Sequence, residues 1–283
     1  MAAALQLVRA RKSVLVIDAS ERRNSFATYS PKFLGQDGAD VVEVAANAPS
    51  QLKAYPTLSW IDGRAADVAG QADDFTVTSP DGESHRGRRI LLATGVTDQL
   101  PPITGLDERW GQTVFHCPYC HGYELGEGRI NVIATGPMSA HQAQLLTEWG
   151  QVTLLVNDAL SLSLDGRADL ESRGVVIEDA PIHRIKGHAD VRMADGRLLS
   201  FAGLFTAARY APSNALAEGL GCAIEEAPMG LQVGTDAESK TPVPGVFACV
   251  EVGRGTLAGI QLHRSLLFAP ETVGCMHNET PAR

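Results

Sequence analysis

The segment His116-Cys117-Pro118-Tyr119-Cys120-His121 places two thiols three positions apart. Cysteines at that spacing can close a small disulfide and reopen it without large backbone motion, and Pro118 restrains the turn between them. A helix beginning at the pair, or a protonated histidine beside it, lowers a thiol pKa from about 8.5 towards roughly 3.5 to 7.5 and raises the fraction of nucleophilic thiolate. His121 follows the second cysteine, where an imidazole can take or return a thiol proton at neutral pH or simply pack. A zinc site would need two further ligands and usually a second short-spaced pair. Cys222, Cys249 and Cys275 stand alone in the sequence, so the expectation is reversible redox chemistry and no metal.

The elements around the pair alternate between strand and helix signals. Residues 2 to 11 predict a helix, and Ser13 to Ile17 form an apolar strand that ends at Asp18. Such a run suits a parallel sheet buried on both faces, and an acidic residue at its C-terminal end is where a dinucleotide ribose is often held, although a lone Asp can equally cap the strand. Residues 58–61, 75–78 and 89–93 read as strands, with Asp62-Gly63 and Asp81-Gly82 as turns. Beyond the cysteines, strand 129–134, helix 139–149 and strand 152–156 repeat the β-α-β order. Strands at 175–178, 190–193 and 203–207 continue that unit, residues 245–249 return as a final strand, and 256–268 close the chain as a helix.

Composition narrows the function classes. The 283 residues, 44% of them apolar with 28 glycines, suit a two-domain globular protein. A net charge of -9 with scattered basic residues argues against a nucleic-acid partner. No run approaches the roughly 18 apolar residues of a bilayer span, and the start lacks the order of a secretory signal, so a cytoplasmic protein without membrane partners is expected.

The segment Val114 to Glu124, between the turn Ala93-Thr94-Gly95 and the second β-α-β unit, resembles the thioredoxin reductase-like flavoproteins, nearest the branch with histidine after the pair. The strand ending at Asp18, the stretch Phe33-Leu34-Gly35-Gln36-Asp37-Gly38 and the stretch Thr241 to Ala248 extend the resemblance along nearly the whole chain. It implies an α/β fold of two Rossmann-like three-layer domains, the first without its N-terminal strand and glycine-rich turn. The FAD-binding domain would comprise residues 1–108 and 213–283, and residues 109–212 would form an inserted NAD(P)-binding-like domain carrying the cysteines. The resemblance further implies Cys120 as the flavin-proximal sulfur and Cys117 as the one that exchanges with substrate. Asp18, Ala93, Thr94, Gly95 and Glu251 would bind FAD.

Three departures from that pattern stand in the sequence. The glycine-rich turn that holds a pyrophosphate has no counterpart. Val250-Glu251 replaces the family's Gly-Asp near the ribityl chain, where valine obstructs close backbone approach. Ala134 to His141 replaces a G-x-G-x-x-A fingerprint, and Val156-Asn157-Asp158 lacks arginines for a 2′-phosphate, which weakens an NADPH or NADH site. The expected activity is FAD-dependent disulfide oxidoreduction on a thioredoxin-like protein or a small-molecule disulfide or dithiol, by a homodimer. An oxygen-using dithiol oxidase without NADPH, or a flavin-free remnant acting as a binding protein, are the alternatives.

Overall fold

The computed structural model describes residues 1–23, 26, 29–30, 34–249 and 252–268. The helix Ala2–Arg9 buries Ala3, Ala4, Leu7 and Val8, one stripe at helical spacing. It leads into the strand Val14–Asp18, which pairs in parallel with Leu58–Asp62, so that Asp18 lies opposite Asp62. A parallel pair needs a crossover between its strands, supplied by the helix Val41–Lys53. Asp40 caps that helix, accepting from the Val42 and Glu43 amides at 2.7 and 3.2 Å. A second parallel pair joins Ile90–Leu92 to Val246–Ala248, which is the return of the final strand expected from the sequence.

Among the described residues, these two parallel pairs share no ladder. Packing joins them instead. Leu7, Phe247 and Leu262 form one buried cluster, with Val14 and Leu91 against it. The closing helix Val252–Leu267 begins before the expected residue 256 and lies close on the first helix, where a Cβ on Gly259 would come within 2.7 Å of the Ala3 Cα. Arg89 fastens the far end of this helix, donating from Nε to the Ser265 hydroxyl at 3.0 Å and from Nη2 to the Ser265 carbonyl at 2.8 Å.

The cysteine segment belongs to a five-stranded parallel sheet. Its spatial order is Val114–Phe115, Gly203–Thr206, Arg129–Ile133, Gln151–Leu155 and Val176–Glu178. Ile130, Val132, Leu154 and Phe205 meet Leu146 and Leu170 from the helices Met138–Leu146 and Leu164–Ser172 on one face. Ile133, Leu155 and Leu204 meet Ile185, Val191 and Met193 of an antiparallel sheet, Ile182–Lys186, Asp190–Met193 and Leu198–Ser200, on the other. Both faces are covered, which is why these strands read as continuous apolar runs.

A four-stranded mixed sheet uses the chain on either side of that unit. Val96–Gln99 runs antiparallel to Arg209–Pro212, placing Asp98 opposite Tyr210. Tyr210 in turn bridges to Gly230 of the strand Gly230–Val233. Gly230 adopts φ +140, and a Cβ there would lie 2.1 Å from the Tyr210 carbonyl oxygen, so the close approach needs glycine. The whole is an α/β fold with parallel, antiparallel and mixed sheets.

Candidate functional site

Val114 and Phe115 are buried at the edge of the five-stranded sheet, and the chain leaves them through His116 into a single helical turn, Pro118–His121. Cys117 is extended at φ -103, ψ 113, and Pro118 takes the first helical position, where its missing N–H costs nothing. The Cys120 amide donates to the Cys117 carbonyl at 3.2 Å and the Gly122 amide to the Pro118 carbonyl at 2.7 Å. The two half-buried sulfurs therefore bracket one turn.

Three contacts fix this turn. Trp149 lies so close that a Cβ on Gly122 would meet its Cγ at 2.7 Å, and the indole meets Tyr119 edge-on at 5.2 Å. The His121 ring stacks on Phe115 with centroids 4.2 Å apart and planes 18° from parallel, and Phe115 leans on Phe205 at 5.7 Å. Gln142 donates from Nε2 to the His116 carbonyl at 2.8 Å. The structure thus brings Cys117, Cys120 and His121 together on a braced surface, with Tyr119 64% exposed beside them.

Sequence reading missed the charged groups nearby. Arg23 pairs with Asp98, whose side chain is only 8% exposed. Burial, and then the Arg23 charge, push His116 below the usual histidine range, while Asp98 and a backbone hydrogen bond with Thr206 work against that shift. His116 Nδ1 is buried without a hydrogen-bond partner among the described residues. Nothing local in the sequence marks Arg23 or Asp98 as neighbours of the pair.

The residues expected to hold FAD come from separate elements. Asp18 ends its strand and accepts from the Ser20 amide at 3.1 Å. Ala93, Thr94 and Gly95 are exposed and irregular after the strand Ile90–Leu92, with Gly95 at φ +72. Glu251 falls outside the described residues. Thr94, Gly95, Leu92, Pro212, Ala248 and Cys249 border a cavity of about 10 Å³, room for about one water. The N-terminal turn of the first helix, where a pyrophosphate would need open amides, abuts the closing helix: the Gly255 Cβ position is 3.4 Å from the Ala2 Cβ.

A larger cavity suits a nicotinamide nucleotide. A cavity of about 460 Å³ opens where the strands Arg129–Ile133 and Gln151–Leu155 end, lined by Pro101, Thr104, Thr135, Asn157, His183 and Arg209 among others. That volume and that position at the C-terminal ends of parallel strands suit a nucleotide. Gly136 follows Thr135 at φ +153, with nothing within 4 Å of its Cβ position. The Thr135 amide is already taken by Ser139 Oγ at 2.9 Å, and Asn157 Oδ1 by the Ile182 amide at 2.8 Å. Among the described residues, no group of three or more His, Cys, Asp or Glu side chains could hold a metal ion.

A sheet-built α/β fold bearing a braced cysteine pair defines a disulfide oxidoreductase class, and comparison with known proteins agrees. The profile of the pyridine nucleotide-disulphide oxidoreductase family matches residues 1–263, and the chain belongs to that family. Within it, the relatives are thioredoxin reductase-like. The thioredoxin reductase tcpT of Claviceps purpurea (strain 20.1) is 31% identical over 270 residues, 89% of this chain and 83% of that protein. A crystal structure of an oxidoreductase from Agrobacterium tumefaciens is 47% identical, with a TM-score of 0.92 over 95% of both chains. A putative thioredoxin reductase TrxB from Bacillus anthracis shares the fold at 22% identity, with a TM-score of 0.85 over 94% of both chains. Membership of this family implies FAD and NAD(P)H use.

Proposed function

We propose that this chain exchanges an electron pair between its Cys117-Cys120 dithiol and an external disulfide, carried by a small molecule or a thioredoxin-like protein. The observation that carries the reading is the single clamped turn bracketed by the two sulfurs. In the reducing direction the Cys117 thiolate attacks one substrate sulfur. The substrate S–S bond breaks, a Cys117–substrate disulfide forms, and the released thiolate takes up a proton. Cys120, giving its proton to His121, then attacks the Cys117 sulfur and releases the second substrate thiolate, which takes that proton from His121. Two electrons leave the dithiol and two substrate thiols form.

A nicotinamide nucleotide, when bound, would supply a hydride for the flavin that the family uses; Thr135, Asn157 and Arg209 border the space that would hold it. The domain plan consistent with this is an inserted unit at 109–212 between the two segments 1–108 and 213–283, in a cytoplasmic homodimer. Among the described residues, no helix is long and apolar enough to cross a membrane. The second reading is FAD-dependent turnover, favoured by the family match over residues 1–263 and carried in the residue plan by Asp18, Ala93, Thr94, Gly95 and Glu251.

Pre-reduced protein mixed with a small disulfide should yield a Cys117–Cys120 crosslink in peptide mapping, lost in Cys117→Ser and Cys120→Ser. Protein that reduces the disulfide equally well with either substitution would sink the proposal. An absorbance spectrum after incubation with FAD and desalting separates the two readings: retained flavin bands support FAD-dependent turnover, and a colourless protein that still forms the crosslink supports exchange without flavin. Oxygen uptake with a dithiol and no NADPH would point to dithiol oxidation instead.

A further inference from the structure

The cavity at the ends of the strands Arg129–Ile133 and Gln151–Leu155 has two unlike sides. In a β-α-β unit a dinucleotide lays its pyrophosphate over the first strand-to-helix turn and its adenosine ribose at the end of the second strand, about 20 residues further on. There an acidic side chain holds a free 2′-hydroxyl, or an arginine holds a 2′-phosphate. In this chain the turn is Thr135-Gly136 and the second strand ends at Leu155, so the ribose position falls to Asn157 and Asp158.

Both residues take left-handed backbone, Asn157 at φ +49 and Asp158 at φ +55. The Ala159 amide closes the turn on the Val156 carbonyl at 3.0 Å, and the Val156 amide donates to the Glu178 carbonyl at 2.9 Å. Asn157 Oδ1 accepts from the Ile182 amide at 2.8 Å. A backbone N–H can only donate, so the side-chain oxygen faces Ile182 and Nδ2 is left as the donor of Asn157 at the cavity wall. An exposed carboxylate follows it at Asp158.

The cations around this side are already matched. Among the described residues that line the cavity, only Arg209 and His183 can carry a positive charge. Arg209 pairs with Glu226 and follows the strand Gly203–Thr206, which lies two strands, about 10 Å, from Gln151–Leu155. On the other flank Glu178 stands beside Leu155 and takes Arg197 at 2.5 Å, and Arg197 also holds Asp195 at 2.6 Å. Arg167 is held by Asp179 at 2.7 Å. A phosphate of about −1.5 to −2 charge placed here would meet Asp158 with both nearby guanidiniums engaged. A ribose hydroxyl, which donates and accepts, is matched by a carboxylate and an amide N–H.

We infer that this cavity takes NADH in preference to NADPH, and that Asn157 and Asp158 read the unphosphorylated ribose. The inference deepens the nicotinamide-nucleotide part of the proposed function and rests on it.

Calorimetric titration of the full chain with NADH and with NADPH tests this without flavin or disulfide. At about 0.05 M salt NADH should bind about tenfold more tightly than NADPH. Asp158→Asn keeps a side chain that tolerates left-handed backbone and removes the charge. It should close most of the gap by tightening NADPH, with NADH held within about threefold. His183→Gln should leave the ratio where it was. NADPH bound as tightly as NADH, a ratio indifferent to Asp158→Asn, or a ratio set by His183 would overturn the inference.

If Asp158→Asn does not fold, salt replaces it as the perturbation. Raising ionic strength from about 0.05 M to about 1 M should shrink the NADH preference of the unsubstituted protein by screening the repulsion, and a ratio that holds or grows would count against the idea. NADPH preferred by a protein that binds both refutes the inference alone. Failure to bind either nucleotide refutes the nucleotide reading of the cavity, and the inference with it, while the Cys117–Cys120 crosslink continues to report on dithiol exchange.

Discussion

Gly122→Ala pits two effects of opposite sign against each other. Gly122 has helical dihedrals, φ -64 and ψ -39, where replacing glycine by alanine ordinarily stabilises by about 0.5–1 kcal/mol. At this position the added methyl would meet Trp149 Cγ at 2.7 Å, Trp149 Cδ1 at 2.9 Å and the Pro118 carbonyl oxygen at 2.8 Å. Overpacking of that kind costs about 1–3 kcal/mol. The indole can yield, but the Pro118 carbonyl belongs to the turn between the two cysteines and moves only if that turn moves. The overlap should therefore win, leaving a net loss of about 1–2 kcal/mol, with each kcal/mol lowering Tm by roughly 2–4 °C in a chain of this size.

Calorimetry and the rate of Cys117–Cys120 crosslink formation would be read on the same samples. A turn displaced enough to raise the closure barrier by about 1.4 kcal/mol slows it about tenfold. Trp149→Leu added to Gly122→Ala should recover the part of the stability loss caused by the indole and leave the part caused by the carbonyl, a coupling of about 0.5–3 kcal/mol in a double-mutant cycle. A Gly122→Ala protein with a raised Tm and unchanged closure rate would refute the claim that Trp149 and the turn form one packed unit.

Three further outcomes follow from the same contacts. His116 is pushed below its ordinary pKa by burial, so the unfolded chain binds its proton first as pH falls. Its contribution is present above about 6.5 and is lost as pH drops through that value towards the folded pKa; His116→Gln should flatten this portion of a urea-midpoint profile, and an unchanged slope would contradict it. Arg89 is 6% exposed and ties the closing helix to the strand Ile90–Leu92 through Ser265; Arg89→Ala should cost about 2–3 kcal/mol in chemical denaturation, and a loss below about 0.5 kcal/mol would show the tie to be idle. Gly230→Ala should break the Tyr210 bridge, because its Cβ would fall 2.1 Å from a backbone oxygen at φ +140; two-dimensional amide spectra should show displaced Tyr210 and Asp98 resonances, and an unperturbed spectrum would refute the need for glycine there.

The legible part of the fold was the part written in local pattern. Strands buried on both faces, such as Arg129–Ile133 and Gln151–Leu155, announce themselves as unbroken apolar runs, and Asp81-Gly82 marks its turn because Gly82 takes φ +90 there. The helix Val41–Lys53 was not anticipated, since Pro49 inside it and the β-branched valines at its start blur the helical signal. Leu164–Ser172 was also missed, because it buries only Leu170 and its amphipathic stripe is faint. The sheet joining Val96–Gln99 to Arg209–Pro212 pairs segments far apart in the chain, and short polar strands of that kind carry no period long enough to read.

The site divides along the same line. Cys117, Cys120 and His121 were visible because their chemistry depends on spacing within one turn, which the sequence displays directly. Trp149, Gln142, Arg23 and Asp98 were invisible because their contribution comes from tertiary placement. Asp18 and Thr94-Gly95 were legible only as pieces of a pattern, and the space that Thr94 and Gly95 border admits about one water. A dithiol needs a braced turn, which the described residues supply.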